Sequence, residues 1–354
     1  MKKNIFISTG GSGGHVGPAK VLCEHLIKEA NLTISTDKRG LKYFEKDSYQ
    51  LEIINTPKLN KIFFYPITLF KVLFLSLKSF FLLKKKEIDI VISTGGYMSL
   101  PIVLAARFLK IKIYLIEPNQ VIGRANKYFL SFCEKIFCYS DYIKNFPKKY
   151  DQKIVVIYPL ISKKIYNFRR QEKTSKKFTI LVVGGSQGAN IFDKDLRNII
   201  VNISKTNSLK VIQQTKERNI LSLKEFYSKN FVENEIFNFD KNLFQMIDKS
   251  DLCITRSGAS TLAELSFMNT PFVAVPLPTS KDDHQLENAK FYEENNCCWL
   301  IEQKNFEEKI EELLKKILND KSDYLKKKEN LKKINYQNNW TNINQKIIKI
   351  INEN

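Results

Sequence analysis

At 354 residues the chain is too long for one hydrophobic core, and its length favours two domains. A hydrophobic share of 43% is that of a globular protein, and six cysteines without a C-x-x-C pair argue for buried, reduced thiols in a cytoplasmic protein rather than a disulfide framework. The formal charge of +20 rests on 49 lysines and only eight arginines, which argues against sequence-specific nucleic-acid reading and leaves a solvated surface or an anionic membrane face to account for it.

No basic N-terminus followed by a long apolar run is present, so no secretory signal is expected. The first organised stretch is Asn4 to Lys20, NIFISTGGSGGHVGPAK, an apolar strand that runs into a glycine cluster before a helix predicted over Gly17 to Ala30. A glycine loop ahead of a helix N-terminus suits a phosphate or a developing anion. Neither G-x-G-x-x-G nor a P-loop fits these glycines.

Further strands are predicted at Leu32 to Thr36, Leu51 to Ile54, Asp89 to Ser93, Lys112 to Ile116, Lys135 to Tyr139 and Lys153 to Ile157, alternating with helix-length segments. A boundary is expected near Tyr158 to Lys163, where Pro159 breaks the pattern. Phe178 to Asn190, FTILVVGGSQGAN, then repeats strand, glycine loop and helix, and strands follow at Lys210 to Gln213, Glu235 to Phe239, Leu252 to Thr255 and Phe272 to Val275. After Pro276 the pattern reads helical to the end. Two such series predict an α/β chain of two doubly wound parallel sheets, domains 1–160 and 161–337, with ligands beyond the carboxyl ends of the strands.

The segment Ile62 to Leu83 is almost wholly apolar and rich in Phe, and Lys84, Lys85 and Lys86 follow it. Pro66, Lys71 and Lys78 argue against a spanning helix. A sheet-covering buried helix and an interfacial helix, with aromatics at the lipid boundary and lysines at the headgroups, both remain open.

Only three histidines occur, so their positions matter. His15 closes the first glycine loop, where a general base could reach a substrate hydroxyl, whereas His25 falls in mid-helix and reads as structural. Gly95, Gly96 and Tyr97 end one strand, and Glu117, Pro118 and Asn119 end the next; Glu117 could orient a base, act as one, or form a turn. Arg256 to Leu265, RSGASTLAEL, offers small residues for a diphosphate, donors in Ser260 and Thr261, and Glu264 for ribose hydroxyls; a capping box on Ser260 or Thr261 is the competing reading. The polar run Asp282 to Ala289 could bind a sugar. Asp283 and His284 alone make no convincing metal set.

Together GGSGGH (Gly10 to His15), GGY (Gly95 to Tyr97), GGSQGA (Gly184 to Ala189), RSGASTLAE (Arg256 to Glu264) and HQ-x-x-NA (His284 to Ala289) resemble the MurG glycosyltransferases, which add N-acetylglucosamine to lipid I during peptidoglycan synthesis. The resemblance spans essentially the whole chain. It implies a GT-B fold, with two Rossmann-like domains facing across a cleft and the last helix, 338–354, packing back on the first. It implies UDP-N-acetylglucosamine as donor, with Ser186 and Thr261 near the diphosphate, Asp240 at uracil largely through main chain, Glu264 at the ribose, and Gln285 and Asn288 at the sugar. Ala259, Ser260, Leu262 and Ala263 complete the donor segment.

On the acceptor side the resemblance matches Ser12, Gly13, Gly14, His15, Glu117 and Asn119, with His15 first and Glu117 second as general base. It implies inverting transfer to the muramyl C4 hydroxyl with no obligatory metal or other cofactor. It also implies peripheral attachment of Ile62 to Lys86 to the cytoplasmic face of the inner membrane, and other cell-wall enzymes as partners. Two positions depart from the family pattern: Ile116 to Asn119 keeps only the Glu and Asn of His-Glu-Gln-Asn, and Ile161 stands where a junction arginine is expected. A related transferase with another acceptor is the near alternative. A dinucleotide-binding oxidoreductase, with Asp37 on a ribose, is the distant one.

Overall fold

The computed structural model describes residues 2–11, 13–44, 49–57, 65–169, 177–185, 188–240 and 242–353. The chain forms two α/β units, Met1–Tyr166 with Asn339–Asn354, and Asn167–Asn338.

The first unit holds a seven-stranded sheet of β1 (Lys3–Ser8), β2 (Ala30–Thr36), β3 (Gln50–Ile53), β4 (Ile90–Ser93), β5 (Lys112–Glu117), β6 (Lys135–Cys138) and β7 (Ile154–Val156), in the order β3-β2-β1-β4-β5-β6-β7. Every pairing is parallel. Strand residues alternate between faces, so Ile5, Ile7 and Ile92 enter one core while Phe6, Val91 and Leu115 enter the other. Both faces are apolar because helices cover both, as a parallel sheet requires.

These helices are α1 (Gly13–Leu26), α2 (Tyr65–Lys85), α3 (Leu100–Phe108), α4 (Arg124–Phe129) and α5 (Lys163–Tyr166). The first starts at Gly13, four residues before the predicted Gly17, because Gly10 and Gly11 already turn the chain at the strand end.

In the second unit, β8 (Phe178–Val183), β9 (Leu209–Gln214), β10 (Glu233–Phe237), β11 (Leu252–Thr255), β12 (Phe272–Ala274) and β13 (Cys298–Leu300) form a parallel six-stranded sheet in the order β10-β9-β8-β11-β12-β13. Its helices are α6 (Arg197–Ser204), α7 (Ile220–Lys229), α8 (Leu243–Asp248), α9 (Ala259–Phe267), α10 (His284–Glu294), α11 (Phe306–Asn319) and α12 (Ser322–Ile334). The expectation of helix alone after Pro276 is corrected by β13, which pairs Cys298 with Phe272. Its three residues are too few for a period to register in the sequence.

The last helix, α13 (Trp340–Asn352), returns to the first unit. Ile343, Ile347 and Ile351 stand at i, i+4 and i+8 and enter the core with Ile5, Leu22 and Leu26. Trp340 stacks on His25 with ring centroids 3.6 Å apart, and Tyr166 meets the same indole edge-on. Burial pushes His25 down to about 4, so it is a neutral packing group.

In α2 the usual amphipathic arrangement is reversed. Its buried face is Thr68, Val72, Ser76, Ser79 and Leu83, small enough for close packing, while Ile67, Leu69, Phe70, Leu73, Phe74, Leu77 and Phe81 are each more than half exposed. The buried-helix reading of this segment therefore fails for its outer face. Residues 62–64 of the predicted segment lie outside the described residues.

Candidate active site

In each sheet the strand order reverses direction at one place, and both reversals carry glycine loops. In the first unit that place is between β1 and β4, whose carboxyl ends lead to Gly10–Gly11 and Gly95–Gly96.

His15 sits half-buried in the first turn of α1, and its Nδ1 lies 2.8 Å from the carbonyl oxygen of Thr94 at the end of β4. A carbonyl can only accept, so Nδ1 carries a proton, and in the neutral tautomer that this bond selects, the lone pair stands at Nε2. Among the described residues Thr94 is the one hydrogen-bond partner of this ring. Gly96, at φ +79°, borders the same edge: a Cβ there would lie 3.6 Å from Nε2 and 2.9 Å from Met98 Cε. A side chain at 96 would thus be strained and would crowd the nitrogen.

Glu117, at the end of β5, is only 2% exposed. Its Oε1 accepts from Asn119 N at 3.2 Å and Asn119 Nδ2 at 3.0 Å, and its Oε2 accepts from Gly123 N at 2.8 Å and Asn126 Nδ2 at 3.0 Å. Four donors fill the four favoured positions of a carboxylate. This geometry organises the β5–α4 loop, and Asn119 is part of it.

Asp37 follows β2 and accepts from Gly11 N and Gly40 N, both at 2.9 Å, and from Arg39 Nε at 2.8 Å. Burial alone would raise this carboxyl, but those N–H groups and the Arg39 guanidinium outweigh it and hold it below the ordinary range. Arg39 in turn donates to the Tyr97 hydroxyl at 2.6 Å. A carboxylate bound to the first glycine loop in this way is not offered to a ribose, which removes the structural basis of the oxidoreductase alternative.

In the second unit the reversal lies between β8 and β11. Beyond β8 come Gly184 and Gly185, beyond β11 Arg256 to Gly258, and no described residue lies within 4 Å of where a Cβ would stand on Gly185 or Gly258. Gly258 caps α9 without a side-chain bond, so the capping box on Ser260 or Thr261 does not form and the first-turn N–H groups stay available to an anion. Ala259, Ser260 and Thr261 are half-buried in that turn, whereas the side chains of Leu262 and Ala263 are in the core.

Glu264 is half-buried with no partner among the described residues, and burial pushes its carboxyl up to about 7. Gln285 Oε1 accepts from Ser257 N at 3.2 Å and Leu277 N at 3.0 Å, and Asn288 Nδ2 donates to Ser257 O at 3.1 Å. Both α10 side chains therefore grip the loop beyond β11, and the Gln285 amide nitrogen remains uncommitted among the described residues. Asp240 Oδ1 accepts from Asn242 N at 2.7 Å and fixes its own turn. Ser12 and Ser186 lie outside the described residues.

Arg256 is a support that nothing in the sequence marks as one. It is buried, donates to the carbonyls of Val275 and Pro276 at 3.1 Å each and to Gln303 Oε1 at 2.6 Å, and ties the ends of β11 and β12 together. Among the described residues no three His, Cys, Asp or Glu side chains cluster as a metal centre would need.

Two parallel-sheet units with glycine loops at both strand reversals make the GT-B fold, and the family matches make the chain a glycosyltransferase. Residues 5–138 match the glycosyltransferase family 28 N-terminal domain, and residues 179–342 match the glycosyltransferase family 28 C-terminal domain. The UDP-N-acetylglucosamine–N-acetylmuramyl-(pentapeptide) pyrophosphoryl-undecaprenol N-acetylglucosamine transferase of Pelagibacter ubique is 49% identical over 100% of both chains. The protein of the same name from Rickettsia canadensis is 34% identical over 93% of this chain and 96% of its own. A crystal structure of Acinetobacter baumannii MurG superposes with a TM-score of 0.75 at 21% identity, covering 94% of this chain and 95% of that one, and shows the shared fold. The chain belongs to the MurG family of N-acetylglucosaminyltransferases.

Proposed function

We propose that the chain moves N-acetylglucosamine from UDP-N-acetylglucosamine to the muramyl C4 hydroxyl of lipid I, forming lipid II, and that His15 takes the proton. The observation that carries the choice of base is the Nδ1 bond to Thr94, which leaves Nε2 as acceptor beside a position that holds no side chain.

As the C4 oxygen attacks the anomeric carbon, its proton passes to His15 Nε2. The bond from that carbon to the β-phosphate oxygen breaks, inversion follows from attack opposite the leaving group, and the electron pair leaves on UDP. First-turn N–H groups of α9 and the loop after β8, with Ser186 and Thr261, meet this charge, which is electrostatic preorganisation. Glu264, ionised, accepts from the ribose hydroxyls. Gln285 offers its amide nitrogen to the sugar, and Asn288 keeps Ser257 in register. Asp240 fixes the main chain at uracil. Glu117 acts as a positioning residue that shapes the Asn119 loop on the acceptor side, where Gly13 and Gly14 open α1.

The exposed apolar face of α2, with Lys71, Lys78, Lys84 and Lys85 around it, supports docking on an anionic membrane surface, where a polyprenyl-linked acceptor resides.

The testing experiment is transfer of labelled N-acetylglucosamine to lipid I by wild type and His15→Ala. The variant is expected to lose about 10²–10⁴ in kcat with UDP affinity kept. Wild-type kcat in the variant would overturn the assignment of the base. Donor binding without transfer in wild type would overturn the acceptor.

A further inference from the structure

We infer that the Lys216 ammonium binds the donor's diphosphate, an inference that rests on the donor reading above. Lys216 stands two residues beyond β9, the strand beside β8, and so at the carboxyl edge that carries the second glycine loop. Gly188 of that loop has φ +69°, and a Cβ on it would lie 3.2 Å from Lys216 Cγ, 3.3 Å from Cε and 3.8 Å from Cδ. The lysine stem thus occupies the side of Gly188 where a Cβ would stand, and its Nζ is one bond from Cε.

The main chain that carries the stem is held from behind. Asn219 N donates to the Lys216 carbonyl at 2.8 Å. Asp193, in the first turn after the loop, accepts from Gln213 Nε2 at 3.1 Å, Thr215 Oγ1 at 2.7 Å and Asn219 Nδ2 at 2.9 Å, so its carboxylate is occupied by neutral donors on both sides of Lys216 in sequence. The Lys216 side chain is half-buried and makes no ion pair or hydrogen bond among the described residues.

The first unit supplies the contrast. At the equivalent place, beyond β2 and beside the first glycine loop, Arg39 approaches within 3.6 Å of where a Cβ on Gly11 would stand. Its charge, however, is met by Asp37 at 2.7 Å. Among the described residues, the second unit has the cation over the loop without a counter-ion. Holding a lysine stem in place costs side-chain entropy, and an ammonium beside a glycine loop, with no described residue within 4 Å of a Cβ at Gly185 and no counter-ion among the described residues, is complementary to a phosphate anion. A lysine reaches it as a point charge.

The experiment is calorimetric titration of the full chain with UDP and with uridine, for wild type, Lys216→Met and Lys216→Arg. Methionine keeps an unbranched stem on Gly188 and removes the charge. Lys216→Met is expected to bind UDP about tenfold more weakly while uridine affinity stays within about twofold, and Lys216→Arg is expected to recover most of the loss. UDP affinity unchanged in Lys216→Met overturns the inference, and so does an equal fall for UDP and uridine, which marks a packing role. Failure of wild type to bind UDP overturns the donor reading itself, and the inference with it.

Discussion

Glutamine at position 117 separates a carboxylate that shapes a loop from one that moves a proton. The side chain is 2% exposed and takes four donors, two on each oxygen, at 2.8 to 3.2 Å. In Glu117→Gln, whichever way the new amide turns, one former oxygen becomes an NH2 group facing two N–H donors. Two hydrogen bonds to a charged acceptor are lost, at about 1.5–3 kcal/mol each, giving ~3–6 kcal/mol before any relaxation of the loop. Guanidinium unfolding of the full chain, followed by a probe in the first unit, is expected to show a loss in that range. Activity should fall through displacement of Asn119, with the acceptor KM rising alongside the loss in kcat. An unchanged unfolding midpoint with kcat lowered about a thousandfold or more would refute the reasoning, because it would mean that the carboxylate acts on the acceptor directly.

Glu264 is raised to about 7, so UDP affinity is expected to rise between pH 6 and 8 as the carboxylate forms, and titration near pH 7 in buffers of different ionisation enthalpy should register proton release on binding. The same raised value means that free-protein stability is complete below the unfolded value near 4.5 and declines as pH passes 7; Glu264→Gln should therefore raise the unfolding midpoint at pH 8 while weakening UDP. His25 has the opposite sign: its folded value of about 4 lies below 6.5, so stability is complete above pH 6.5 and falls toward pH 4, by about 3 kcal/mol at ~1.4 kcal/mol per pH unit. His25→Phe, which keeps a ring against Trp340, should flatten that profile in acid unfolding measurements. Phe70→Ser with Phe74→Ser should reduce sedimentation with anionic vesicles, leave UDP affinity unchanged and alter stability by less than about 0.5 kcal/mol, since both rings are exposed. Undiminished vesicle binding would sink the docking role of α2.

The glycine loops and the two strand series were legible because both are local signals: a buried parallel strand is a short apolar run, and a glycine cluster at its end marks a turn. The helix α1 starts four residues before the sequence pattern places it, because glycine content masks a helix whose first turn needs no side chains. The Glu117 loop shows a different limit. Its Glu, Asn and Gly are visible in the chain, but only three dimensions show that two donors converge on each oxygen. Arg39 and Lys216 illustrate the same limit more sharply, since each lies on a glycine loop 28 residues away in sequence and adjacent only through strand pairing. For α2 the composition was plain, but which face was covered depended on the small residues Thr68, Ser76 and Ser79, which sequence periodicity alone gives no reason to bury.

The return of α13 to the first unit imposes an order on synthesis. Residues 3–166 emerge from the ribosome first, yet the seat formed by Ile5, Ile7, Leu22 and Leu26 stays without Ile343, Ile347 and Ile351 until the whole of Asn167–Asn338 has been translated. At about 5–20 residues per second that interval is roughly 10–35 s. During it the nascent first unit carries two apolar surfaces, the unfilled seat and the outer face of α2, while the second unit, continuous in sequence, can complete its own core. The helix that closes the first unit is thus made only after the whole of the second, and a chain stalled before Trp340 has a second unit able to fold but a first unit still unfinished.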